Sequence, residues 1–155
     1  MARAFVFYDS KYGNTKLAAE KVAEGMREIE GVEVAVGYVN EVDFGGLVDF
    51  DMFVLGAPNH MGRPSWTMKK FVGKLVKQNF KAKKVAVFGT YAGTARPVDR
   101  AVRKLGKMVE EKLPNLTLVS PRLSVRVIRI PGPIVEGELP KCLDFGKKIA
   151  AQLKT

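Results

Sequence analysis

Three observations in the sequence predict a three-layer α/β domain, a doubly wound parallel sheet with helices on both faces. Continuously apolar runs alternate with amphipathic helical patterns, the order expected when crossover helices join parallel strands. The 155 residues are 46% hydrophobic, enough for one domain that buries roughly 70% of its unfolded surface. No linker rich in Pro, Gly or Ser and no internal repeat divides the chain, so residues 1–155 read as one domain.

The elements follow in order. Ala4 to Tyr8 is an apolar run and forms the first strand; Ala18, Val22, Met26 and Ile29 then recur along one helix face. Val32 to Val39 interleaves Glu33 with apolar residues and reads as an edge strand. Glu41 to Asp51, with Gly45-Gly46, is a short helix or a loop. Met52 to Ala57 and Val85 to Gly89 are continuously apolar, as strands covered on both faces should be. Met68, Phe71, Val72, Leu75 and Val76 mark the helix between them, and Val98, Ala101, Val102, Leu105, Met108 and Val109 the helix that follows. A fifth strand begins near Leu116. From Ser120 to Gly137 its register is open, because Val125, Val127 and Ile130 alternate imperfectly with Arg126 and Arg129; the strand is interrupted or extended there. Leu139, Cys142, Gly146, Ile149, Ala150 and Leu153 form the last helical stripe, which makes Cys142 a small buried filler rather than a redox thiol. Pro64 and Pro97 are expected in first helical turns, where a missing N–H is harmless, and Pro114 just past a helix end. Trp66 opens the second helix and reads as a cover over core or a loop base.

Composition narrows the function. No apolar run approaches the roughly 20 residues of a membrane-spanning helix. Met1-Ala2-Arg3 leads straight into the first strand without a signal-peptide pattern, which points to the cytoplasm. One cysteine excludes an internal disulfide, and with one histidine no Cys/His zinc site can be assembled. The net charge of +10 is unevenly spread: residues 1–59 carry 5 basic and 10 acidic side chains, residues 60–112 carry 14 and 3, and residues 113–155 carry 7 and 3. That polarity is either a solvated helix face or a surface for an anionic partner. Nucleic-acid binding is not expected, since no recognition motif accompanies the charge.

In folds of this kind ligands bind outside the carboxyl ends of the strands, so three loops matter. The first, Asp9-Ser10-Lys11-Tyr12-Gly13-Asn14-Thr15, runs directly into a helix. Ser10 and Thr15 offer hydroxyls, Gly13 permits a tight fold, and the helix start presents unpaired N–H groups at its positive end. It reads as a phosphate cradle, though neither the Walker A sequence nor G-x-G-x-x-G occurs in the chain. The plain alternative is a strand-to-helix turn capped by Asn14 or Thr15. The second loop, Gly56-Ala57-Pro58-Asn59-His60-Met61-Gly62-Arg63, and the third, Gly89-Thr90-Tyr91-Ala92-Gly93-Thr94, suit a planar heterocycle stacked on Tyr91 or packed against Met61.

On these motifs the chain resembles the flavodoxins, and most the flavodoxin domain of flavodiiron proteins, from Arg3 to Leu153. Asp9 to Thr15 is the most specific match, to the phosphate loop; Gly56-Ala57-Pro58 and Phe88-Gly89-Thr90-Tyr91 match the loops around the isoalloxazine ring. The resemblance implies strand order 2-1-3-4-5, noncovalent FMN, and electron transfer. It assigns the phosphate to Ser10, Lys11, Tyr12, Gly13, Asn14 and Thr15, and the ring to Pro58, Asn59, His60, Met61, Gly62, Thr90, Tyr91, Ala92 and Gly93. It also implies a flipping peptide near Met61-Gly62 that hydrogen-bonds flavin N5. No catalytic residue and no metal ligand is expected, and one histidine cannot supply a diiron centre. Unlike most flavodoxins the chain is basic, and it lacks an aromatic in the second loop before Trp66. His60 and Arg63 would place positive charge beside the reduced ring and raise its potential, or simply face solvent. The expected role is an electron carrier serving an acidic, ferredoxin-like redox protein or NAD(P)H, as a monomer or homodimer. An NAD(P)H-dependent FMN or quinone reductase is the alternative.

Overall fold

The computed structural model describes residues 1–92, 98–129 and 131–154. Its sheet is parallel and ordered β2 (Val32–Tyr38), β1 (Ala2–Tyr8), β3 (Met52–His60), β5 (Lys84–Ala92), with a fifth position shared by β6 (Thr117–Leu118) and β7 (Leu123–Val127). β6 pairs with Lys84 and Val85 at the start of β5, and β7 with Phe88 to Ala92 at its end. The interrupted reading of the fifth strand is therefore the observed one, and Ile130 lies outside the described residues. A two-residue strand, β4 (Arg63–Pro64), returns antiparallel on the end of β3.

Strand periodicity sorts the core into two layers. Val6 and Val54 face α1 (Asn14–Arg27) and α4 (Glu138–Ala151), where they join Val22, Met26, Phe88, Phe145 and Ile149. Phe7, Phe53 and Leu55 face the other way, toward α2 (Trp66–Leu75) and α3 (Arg100–Lys112), with Phe71, Leu75 and Leu105. Both faces of β1, β3 and β5 are thus covered, which is why their sequences are apolar without alternation. β2 is the edge, as Glu33 signalled, and Arg27 Nη2 donates a 2.9 Å hydrogen bond to its Val34 carbonyl.

Two close approaches depend on glycine. A Cβ on Gly146 would lie 2.1 Å from the Val22 carbonyl oxygen, and one on Gly25 2.0 Å from that of Leu143, so α1 and α4 meet backbone to backbone. At Gly56 a Cβ would fall 2.1 Å from the ring of Phe88, its cross-strand partner, which fills the space a side chain would take.

Some expectations change. Glu41 to Asp51 contains one 3₁₀ turn, Phe44–Leu47, and another, Val39–Glu41, ends where the segment begins. Pro64 lies in β4 rather than in a helical turn, because Ser65 is the N-cap of α2 and its Oγ accepts the Met68 N–H at 3.3 Å. Val98 precedes α3, and Pro97 lies outside the described residues. Trp66 is 69% exposed and so is no core residue; at the first position of α2 it lines a surface depression with Val39, Asn40 and Phe71, beside the 3₁₀ turn that follows β2. Cys142 is buried as expected, and burial pushes its thiol up to about 12. Among the described residues no helix is long and apolar enough to cross a membrane, and no group of three His, Cys, Asp or Glu could hold a metal ion.

Candidate functional site

At the carboxyl ends of β1, β3 and β5 an open cleft is lined by three loops. Its floor is the turn from β1 into α1. Ser10 Oγ accepts the Gly13 N–H at 3.0 Å, which closes the turn, and Gly13 adopts φ 92°, a left-handed conformation that favours glycine. The first intrahelical bond of α1 runs from the Leu17 N–H to the Gly13 carbonyl at 3.0 Å, and no side chain caps the helix. The N–H groups of its first turn therefore remain available at the positive end of the helix dipole. α4 also starts on a left-handed glycine, Gly137, but its first turn holds Glu138, whereas the first turn of α1 holds no acid and includes Lys16.

The cradle is tied to the rest of the cleft. Thr15 Oγ1 and Thr90 Oγ1 share a buried 2.9 Å hydrogen bond that links the α1 start to the end of β5. Asn14 Nδ2 donates to the Pro131 carbonyl at 2.7 Å, and Gly132, at φ 124°, lets that loop approach the Asn14 side chain. The loop is in turn held by Glu138, whose Oε1 accepts the Arg126 N–H at 2.8 Å.

The second wall is the β3–β4 hairpin. His60 and Arg63 face each other across it, and Met61 and Gly62 form its two-residue tip at φ 54° and 81°. Both positive angles belong to a primed turn, the type that suits the twist of a hairpin. Asn59 Oδ1 braces the tip by accepting the Gly62 N–H at 2.6 Å. For a residue with a side chain such a φ is uncommon, so Met61 holds local strain.

Most of the expected residues converge. Ser10, Lys11, Tyr12, Asn14, Thr15, Pro58, Asn59, His60, Thr90, Tyr91 and Ala92 all line the cleft. Gly13 shapes it from below. Met61 and Gly62 sit at the hairpin tip outside the lining, with Met61 98% exposed, and Gly93 lies outside the described residues. Tyr12, His60 and Tyr91 supply the flat side chains of the lining. Val127 lines the cleft and the Pro131 carbonyl anchors it, and neither was anticipated. Both come from the segment whose register the sequence left open; the run Pro131-Gly132-Pro133 was the available signal.

Residues 6–125 match the family described as Flavodoxin. A flavodoxin of Aquifex aeolicus (strain VF5) is 44% identical over 71 residues, which are 46% of this chain and 38% of that protein, so the match spans under half of the relative's length. Among solved structures, a flavodoxin from the domain Archaea superposes with a TM-score of 0.82 at 25% identity over 99% of both chains. The flavodiiron core of Flv1 from Synechocystis sp. PCC6803 gives 0.77 at 20% identity, over 99% of this chain and 36% of that one, a likeness of fold.

Proposed function

The chain belongs to the flavodoxin family, and from that premise we propose that it is an FMN-binding electron carrier that passes electrons between redox partners. What carries the proposal is the uncapped, acid-free start of α1, which opens into a cleft walled by two strand-end loops.

The residues fit the group. The first-turn N–H groups of α1, with Lys11 and Lys16 nearby, provide donors and positive charge for a phosphate, and a Cβ on Gly13 would meet nothing within 4 Å, so the floor is open. Pro58, Asn59 and His60 on one side and Thr90, Tyr91 and Ala92 on the other would hold the ring between them. Bound there, FMN supplies one- and two-electron chemistry. The protein orients it, and the Met61-Gly62 peptide provides a backbone group at the hairpin tip whose reorientation the glycine eases. Arg63, across the hairpin from His60, holds positive charge beside the cleft, which favours an anionic reduced ring. The redox partner is an acidic protein, on the strength of the basic middle third of the chain. The working compartment is the cytoplasm, where a buried free thiol and no disulfide are at home.

Addition of FMN to the purified chain, followed by gel filtration, tests the reading: a yellow protein with 1:1 flavin is expected, and failure to retain flavin ends it. Brisk turnover of NADH or NADPH with quinones and no separate reductase would reassign the chain as a reductase.

A further inference from the structure

Beside the hairpin tip lies a cluster of cations from three elements. Arg63 belongs to β4, Lys69 to α2, and Arg100, Arg103 and Lys104 to α3, which packs against β4. Arg100 abuts the tip itself, for a Cβ on Gly62 would lie 3.1 Å from Arg100 Cδ. Partial desolvation and then the charges of Arg100, Arg63, Lys69 and Arg103 lower the Lys104 pKa from its ordinary value, so these four lie within electrostatic reach of Lys104. Among the described residues none of them stands in an ion pair, and the nearby carboxylate of Asp99 is taken by Arg122 at 2.8 Å. Elsewhere the same chain pairs its lysines readily, as at Lys147–Glu28 and Lys148–Asp144. The cations at the start of α3 thus stand outside close ion pairs, with Asp99 acting on Arg103 only at longer range.

At the edge of this cluster the Met61 side chain stands 98% exposed. A soft apolar knob beside a rim of cations has the anatomy of a protein contact, an adaptable apolar centre with a charged border. A small anion would need donors converging on one point, whereas these are spread over a strand and two helices.

We propose that the Met61 tip and the α3 cations form the docking surface for an acidic electron-transfer protein. The proposal rests on the carrier reading above and adds to it the place and polarity of the encounter. The tip borders the cleft through His60, so a partner seated on it lies against the edge through which an electron must pass. In the exchange one electron would leave the partner's reduced redox centre and one would be taken up by the FMN that the cleft residues would hold, with no bond to the protein made or broken. Long-range attraction speeds the encounter and is screened by salt.

Stopped-flow mixing of the FMN-loaded chain with a reduced acidic [2Fe–2S] ferredoxin tests it. The second-order rate should fall about tenfold between about 20 and 300 mM NaCl. Reversal of the α3 charges in R100E/R103E/K104E should slow it about tenfold at low salt, and the neutral R100Q/R103Q/K104Q should fall between, with flavin spectrum and FMN affinity unchanged. K147E/K148E, on the α4 side, should change it less than about twofold. A salt-independent wild-type rate, or equal slowing by the α4 variant, overturns the docking surface while leaving the carrier reading intact. A chain that takes up no FMN overturns both.

Discussion

Gly13, held by the Ser10 hydroxyl, sets the shape of the cradle. At φ 92° an L side chain is disfavoured, so Gly13→Ala should cost about 1–2 kcal/mol in urea unfolding and weaken FMN about tenfold in a fluorescence titration. The Thr15–Thr90 hydroxyl pair is the buried counterpart of that turn. Removing one hydroxyl leaves the other without its partner, so T15V and T90V should each cost about 1–3 kcal/mol, and the double variant clearly less than their sum. Cys142 makes a pH prediction. Its thiol is raised from an ordinary 9.0 to about 12, chiefly by burial, so its contribution is fully present below pH 9 and is lost as pH rises from 9 toward 12. C142A should therefore flatten the alkaline limb of the stability profile, and the native thiol should resist alkylation at pH 8. At this scale the cradle was legible from sequence because Ser10, Gly13 and Thr15 act within seven consecutive residues. Val127 and the Pro131 carbonyl were not, because they reach the cleft from more than a hundred residues away. The left-handed turn at Met61 gave no signal either, since methionine carries no preference for it.

Among elements, the α1–α4 contact is the least forgiving. Gly25 and Gly146 let the two backbones touch, and the atoms in the way are carbonyl oxygens that cannot swing aside. G146A should destabilise by about 1–3 kcal/mol or more, readable in a urea melt, and G25A likewise. The helices themselves were legible because apolar residues recur at their spacing, and the buried strands because both faces are covered. Element ends were less so. The return of β4 hides in Arg63-Pro64, two residues too few to show a period, and it moved Pro64 out of the helix where proline usually signals a first turn. Trp66 is more exposed than its size and apolarity suggest, because one residue after a cap the helix has not yet turned its face to the sheet. The resemblance supplied the strand order that periodicity alone could not.

The molecule as a whole carries a net charge of +10, and much of it is unpaired on the α2–α3 side. Self-repulsion of this kind eases as salt is added, so the thermal midpoint should rise by a few degrees between about 10 and 150 mM NaCl, by differential scanning fluorimetry. The break in the fifth strand has a consequence of another kind. β6 protects the base of β5 and β7 protects its cleft end, and the two are joined only through the loop between Leu118 and Leu123. β7 is fastened from the far side by the Glu138 side chain and the Val135–Arg126 backbone bond. The sheet margin can therefore breathe in two pieces: amides of β7 should exchange with deuterium together with the first turn of α4, ahead of those at the base, so that the cleft end loosens while the floor of the sheet stays closed.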